Sequence, residues 1–339
     1  MNNNTFLPCA DGTRLGLGGA PLGNLFQAMS EEAAHRLVLA AWDDGCRSFD
    51  TAPHYGHGLS ERRMGHVLHA QARPSYRLSS KVGRLLSPSA SAPRSQHGYV
   101  ETLPFVQHWD FSRGGIRRSV EDSLHRLGLT RLDAVYVHDI DEANHGAATP
   151  EVLRQVLEET LPELAQLKSE GLVTHAGLGV NDHRVVLDVL KNADLDALML
   201  AGRYTLLDTS ALDLLMPQLI KRKIALALGG VFNSGILASR ISADRPMTFN
   251  YEPATQPWIE KAMRIQTICD AHGVLLRSAA LQFALAHPAT HIVMLGARNE
   301  TEWQDARASA KEAIPEDFWT QLQREACIPE NAPTPFYIP

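Results

Sequence analysis

The sequence predicts a closed (β/α)8 barrel, a TIM barrel, folded as a single domain over residues 1–339. Short apolar runs rich in β-branched residues alternate with amphipathic segments from one end of the chain to the other. Eight such units take up about 300 residues, a length that suits the barrel, and no linker or low-complexity stretch divides them. A helix after every strand marks a parallel sheet, because parallel neighbours require a crossover. An open doubly wound sheet fits the same alternation and stands as the alternative architecture.

The first strand is expected at 15–18. Its helix is capped by Ser30, with Glu31 and Glu32 in the positive first turn and Leu37, Val38, Ala41 and Trp42 on one face. The second strand, 47–50, precedes a helix opening at Ser60, where Met64, Val67 and Leu68 recur at helical spacing. The third, 78–82, leads into a long loop from 87 to 112 and then a helix built on Ile116, Val120, Leu124 and Leu127. Residues 133–138, DAVYVH, form the clearest buried strand. Thr149 and Pro150 open the next helix as cap and first residue, and Pro162 is expected to break or kink it. Strand five, 173–178, is followed by a helix carrying Val185, Val186, Val189 and Leu190. Strand six, 195–200, is followed by one carrying Leu212, Leu215, Met216, Leu219 and Ile220. Strand seven lies at 224–228, two helical stretches at 257–271 and 276–286, strand eight at 291–295 and a last helix at 301–310.

Composition narrows the function. Lys and Arg total 32 against 38 Asp and Glu, a net charge of -6 with no basic run, so no nucleic-acid partner is expected. The longest apolar run, 224–232, is far below the roughly 18 residues of a membrane span. The first residues lack the basic and apolar segments of a secretory signal, which leads to a cytoplasmic expectation. The four cysteines form no C-x-x-C pair and are expected as reduced core thiols. Nothing in the sequence indicates an oligomeric state.

Active sites of such barrels lie at the C-terminal ends of the strands. Asp50 ends the second strand, Tyr55 follows it, Lys81 ends the third and His138 the fourth. Taken singly, the Asp reads as a turn residue, the Lys as a solvated charge and the Tyr as packing; on consecutive strands they converge on one mouth. Tyrosine titrates at about 10 in water, and the Lys81 ammonium is expected to favour the phenolate and lower that value. Asp50 would hold Lys81 protonated, and His138 would orient the reacting oxygen. The result is a phenol that exchanges a proton at a carbonyl or carbinol oxygen, while the accompanying hydride needs a nicotinamide or similar cofactor.

The stretches FDTAPHYG, SSKVG and VYVHD together resemble the aldo-keto reductases, over roughly residues 14–310. The resemblance implies a (β/α)8 barrel, NAD with NADP as the alternative cofactor, and a catalytic tetrad on Asp50, Tyr55, Lys81 and His138. It implies a nicotinamide-amide contact at Asn181, beside Val180 where the family usually has serine, and Ala201 where it usually has glutamine. The segment 229–235 resembles the family's pyrophosphate-wrapping loop, with Gly229, Gly230, Phe232, Asn233, Ser234 and Gly235 as contacts; adjacent glycines let amide N–H groups approach phosphate oxygens. Gly296 and Arg298 resemble the adenosine-phosphate site, with Arg298 pairing a phosphate, and Gly19 and Ala20 complete the expected cofactor set. Glu302 stands where the family often has glutamine or a base, and its carboxylate would repel a 2′-phosphate but accept a ribose hydroxyl, which favours NAD.

Within the family, LMLAGRYTLLD and RRSVEDSLHRLGL most resemble a bacterial group of aldose and fucose dehydrogenases that also contains pyridoxal 4-dehydrogenases. This implies oxidation of the hemiacetal of an aldose, such as L-fucose or D-arabinose, to a lactone. Oxidation of pyridoxal, or a general aldehyde or ketone reductase activity, are the alternatives. His54, His108, Trp109 and Asp139 are the expected substrate liners, two of them on the 87–112 loop. A Schiff-base lyase acting through Lys81, or a cofactor-holding subunit without catalysis, are the competing classes. His54 and His57 form an H-x-x-H without a third ligand at a recognised spacing, so no metal is expected.

Overall fold

The computed structural model describes residues 5–242 and 247–336. Eight parallel strands close into a barrel in chain order: β1 (Leu15–Gly18), β2 (Ser48–Asp50), β3 (Arg77–Val82), β4 (Leu132–His138), β5 (Val173–Val180), β6 (Ala197–Ala201), β7 (Ala225–Gly229) and β8 (Thr290–Gly296). β8 pairs back onto β1, with Leu15 opposite Val293 and Gly18 opposite Gly296. The strands read as continuous apolar runs in the sequence because both faces are buried. Their outward side chains, such as Leu17, Phe49, Val135, Val137, Leu178 and Leu228, pack under the helices, while Phe6, Ala134, Tyr136, Met199, Ile292 and Met294 fill the interior.

Ser30 caps the first helix, Glu31–Asp43, by accepting from the Ala33 amide, as its position predicts. Several boundaries differ from expectation for local reasons. The second helix opens at Leu59 behind Gly58 (φ 90°), while Ser60 lies inside it and donates to the Gly19 carbonyl. Thr149 is already helical rather than a cap, since Asp141 starts an earlier turn at Glu142–His145. Pro162 does not break its helix: a π-helical turn at Val156–Thr160 absorbs the missing N–H and the chain stays helical to Ser169. Ile220 lies on its helix but is 51% exposed, and Glu316–Arg324 forms a helix the periodicity did not reveal.

The largest correction concerns the connection at 87–112, which is not an open loop. Arg84–Pro88 pairs antiparallel with Phe105–Trp109, and Ser95–Gln96 pairs with Tyr99–Val100, so the segment is a ribbon with a second, smaller ribbon at its tip. Leu25 bridges to Tyr99, which ties the tip to the segment after β1.

Two glycines set the height of the Tyr55 turn. The short turn Pro21–Gly23 presses directly on it: a Cβ at Gly23 would come within 2.6 Å of the Gly56 amide and 2.8 Å of the Tyr55 carbonyl. Gly56, at φ 64°, faces Gly23 in return. Gly23→Ala is therefore expected to lower stability by about 1–3 kcal/mol in urea denaturation. Gly114→Ala, where a Cβ meets nothing within 4 Å, is expected to be neutral or stabilising.

Candidate active site and cofactor groove

At the mouth of the barrel, Lys81 Nζ donates to Asp50 Oδ2 at 2.7 Å and to the Thr51 carbonyl at 3.0 Å. Ser79 Oγ holds the other Asp50 oxygen at 2.7 Å, across the register that places Asp50 opposite Ser79. Both charged side chains are 2–3% exposed. Gly179 on β5 makes room for them, since a Cβ there would touch Tyr136 and the Lys81 stem. The Lys81 ammonium lies 4.6 Å from the centre of the Tyr55 ring, and the His138 ring stands edge-on to Tyr55 at 6.2 Å. The four residues named from the sequence thus meet at one point.

Their electrostatics correct one expectation. Burial, and after it the Asp50 carboxylate, push the Tyr55 phenol well above its ordinary value instead of below it. Lys81 spends its charge on Asp50, so desolvation of the phenol wins. Burial, then Arg84 and Lys81, hold His138 well below the usual imidazole range, so it is neutral at physiological pH. Burial likewise pulls His54 down to about 3, helped by Arg84.

A cavity of about 390 Å³ opens above the tetrad, lined by Tyr55, Lys81, His138, His54, Asp139 and Asn181 among others. The ribbon supplies Gln107, which holds His54 Nδ1 at 2.9 Å, and Tyr99, whose ring stacks on Tyr55 at 6.0 Å and 29°. Two of the expected liners fall elsewhere. His108 is exposed, and Trp109 turns away from the cavity to lie under the Arg84 guanidinium at 3.9 Å. Strand alternation places Gln107, not His108, toward the site. Residues the sequence did not reveal include Phe26, His97, Tyr99, Met199 and Tyr251, all of which line the cavity. Phe26, His97 and Tyr251 come from turns with no periodicity and no motif, Tyr99 from the small ribbon, and Met199 from β6, where the apolar run does not show which side chains face inward.

A groove continues from this cavity. A second space of about 550 Å³ shares Ala20, Leu25, Phe26 and Tyr251 with the first and is lined by Gly230, Phe232, Ser234, Gly235, Gly296, Arg298 and Glu302. A third, of about 240 Å³, shares Phe232, Arg298 and Glu302 with the second and ends at Trp303 and Ala306. In the loop after β7, Gly230, Asn233, Ser234 and Gly235 all have φ between 43° and 97°, a conformation that turns successive amides to one side. A Cβ on Gly235 would meet nothing, which leaves open space for a ligand. Of the residues expected to hold a dinucleotide, Asn181 lines the first space and Arg298 the second and third. Gly19, Gly229 and Asn233 are outside the lining. Gly19 packs on Ser60 and the end of β2, and Asn233 is 2% exposed.

The sequence model of the Aldo/keto reductase family matches residues 14–325, and the chain belongs to that family. It is 37% identical over 327 residues to a pyridoxal 4-dehydrogenase of Microbacterium luteolum, covering 93% of this chain and 94% of the other. It is 35% identical over 320 residues to a D-threo-aldose 1-dehydrogenase of a Pseudomonas species, with the same coverage of 93% and 94%. Among solved structures, a glycerol dehydrogenase of Gluconobacter oxydans superposes with a TM-score of 0.73 at 19% identity over all of both chains, a likeness of fold. The protein is an oxidoreductase that uses a nicotinamide cofactor, NAD(P). No helix among the described residues is long and apolar enough to cross a membrane.

Lys81→Met leaves the buried Asp50 carboxylate without its cation and is expected to cost about 3–5 kcal/mol of stability in urea denaturation. The double variant Lys81→Met, Asp50→Asn should regain part of that loss.

Proposed function

We propose that the protein oxidises a cyclic hemiacetal to a lactone, with an aldose such as L-fucose or D-arabinose as substrate. The observation that carries this is the placement of Tyr55 and neutral His138 side by side on one cavity wall. Tyr55 takes the proton of the hemiacetal hydroxyl, and His138 fixes that oxygen by a hydrogen bond from its neutral ring. Lys81, held by Asp50, steadies the phenolate that Tyr55 must reach. Asn181 would hold the amide of a nicotinamide, which would supply the hydride acceptor and, when oxidised, a positive charge. Lys81 has no free amine for a Schiff base, since it is buried and committed to Asp50 and Thr51.

Pyridoxal is the second reading. It is favoured by the rings of Phe26, His54, His97, Tyr99 and Tyr251 around the cavity, which suit a flat aromatic hemiacetal. NAD is the proposed cofactor. Arg298 donates to Glu302 at 2.9–3.0 Å, so its charge is already answered and a 2′-phosphate would meet the carboxylate.

Wild type and Tyr55→Phe are to be assayed on L-fucose, D-arabinose and pyridoxal with NAD⁺ and with NADP⁺, following reduced-nicotinamide absorbance. Lactone formation with a preference for NAD⁺ is expected. Loss of the phenol should lower the rate by about 10²- to 10⁴-fold. Because the Tyr55 phenol is raised, the oxidation rate should climb with pH from neutral into the alkaline range. Undiminished activity in Tyr55→Phe would sink the assignment.

A further inference from the structure

Asp139 is the first residue after β4 and adopts φ 51°, a left-handed conformation that a non-glycine residue rarely holds. Its backbone is fixed on both sides: its amide donates to the Gly179 carbonyl at 3.0 Å, and its carbonyl meets His145 Nε2 at 2.9 Å. Its carboxylate is clamped as well. Arg84 Nη2 donates to Oδ2 at 2.7 Å, and the two side chains are 10% and 14% exposed. The guanidinium is itself fixed, stacked 3.9 Å over the Trp109 ring, which packs against Phe111 and His145. Arg84 and Trp109 face each other in the ribbon's register, so the ribbon builds this clamp.

The clamp aims a carboxylate at the substrate space. Asp139 lines the cavity, with Oδ2 3.4 Å from His138 Nε2, and Oδ1 accepts no hydrogen bond from the described residues. An acceptor oxygen without a protein donor, on a carboxylate held in a strained backbone beside the reacting centre, has a ligand's donor as its natural partner.

We propose that Asp139 is a specificity-determining residue that accepts a hydrogen bond from the hydroxyl on the carbon next to the hemiacetal carbon, and that Arg84 is its positioning residue. The inference rests on the hemiacetal reading above. There, Tyr55 and His138 bracket the reacting oxygen, and the neighbouring hydroxyl of a sugar ring lies within reach of a group touching His138. The substrate class is thus an aldose with a free 2-hydroxyl, and 2-deoxy sugars are discriminated against. Trp109 acts on the substrate only through Arg84.

The test compares kcat/KM with NAD⁺ for D-arabinose and 2-deoxy-D-ribose, and for L-fucose and 2-deoxy-L-fucose. The enzymes are wild type, Asp139→Asn, Asp139→Ser, Arg84→Met and Arg84→Lys, each checked for native circular dichroism. Wild type should lose roughly ten- to hundredfold on the deoxy sugar, the scale of a hydrogen bond to a charged group. In both Asp139 variants that penalty should shrink to about threefold or less. Arg84→Met should shrink it too, chiefly through KM, with partial rescue in Arg84→Lys. An equal penalty in wild type and the Asp139 variants overturns the role of Asp139 while leaving the hemiacetal reading in place. Lactone from neither sugar in wild type overturns both.

Discussion

The buried ion pair between Lys81 and Asp50 is the constraint on which the rest of the mouth depends. Removing both charges from water is costly, and an apolar pair of similar volume would hold a barrel together at least as well. The surrounding structure is nevertheless shaped to keep it. Ser79 takes the second carboxylate oxygen, the Thr51 carbonyl takes a second ammonium proton, and Gly179 leaves the width that the lysine stem needs. Gly23 and Gly56 then set the height at which the Tyr55 ring comes down beside the ammonium.

The pair also decides how the phenol behaves. A lone ammonium beside a tyrosine would favour phenolate, but here the ammonium is answered by a carboxylate, and desolvation raises Tyr55 instead. His138 is driven the other way by the same burial and stays neutral. The site therefore presents a protonated phenol and an uncharged imidazole to the cavity, and a positive charge brought in beside the phenol would favour its ionised form.

The sequence reveals those parts of the molecule that repeat or that sit at strand ends. The eight strands were visible because each is a short apolar run followed by an amphipathic segment, and Asp50, Lys81 and His138 because each closes such a run. Other features follow no period. The ribbon at 84–109 reads as a loop because its strands are short and the stretch between them is rich in Ser, Pro and polar residues, yet it delivers Tyr99, Gln107 and the Arg84–Trp109 stack. Phe26 and Tyr251 reach the groove from turns far apart in the chain, both at positive φ, and only the fold brings them together at 6.4 Å. Strand alternation, which a loop reading does not offer, turns His108 out of the site, whereas Trp109 shares the face of Gln107 but lies at the end of the strand, where Arg84 pairs with it and stacks on its ring.

The most direct measurement is the ionisation of Tyr55 itself, read as the phenolate absorbance of wild type minus that of Tyr55→Phe across a pH titration, with and without saturating NAD⁺. The free protein should show no Tyr55 phenolate below pH about 10, the ordinary tyrosine value, and NAD⁺ should move the transition to lower pH. A phenol that ionises below its ordinary value without NAD⁺, or one that NAD⁺ leaves unmoved, would contradict the account.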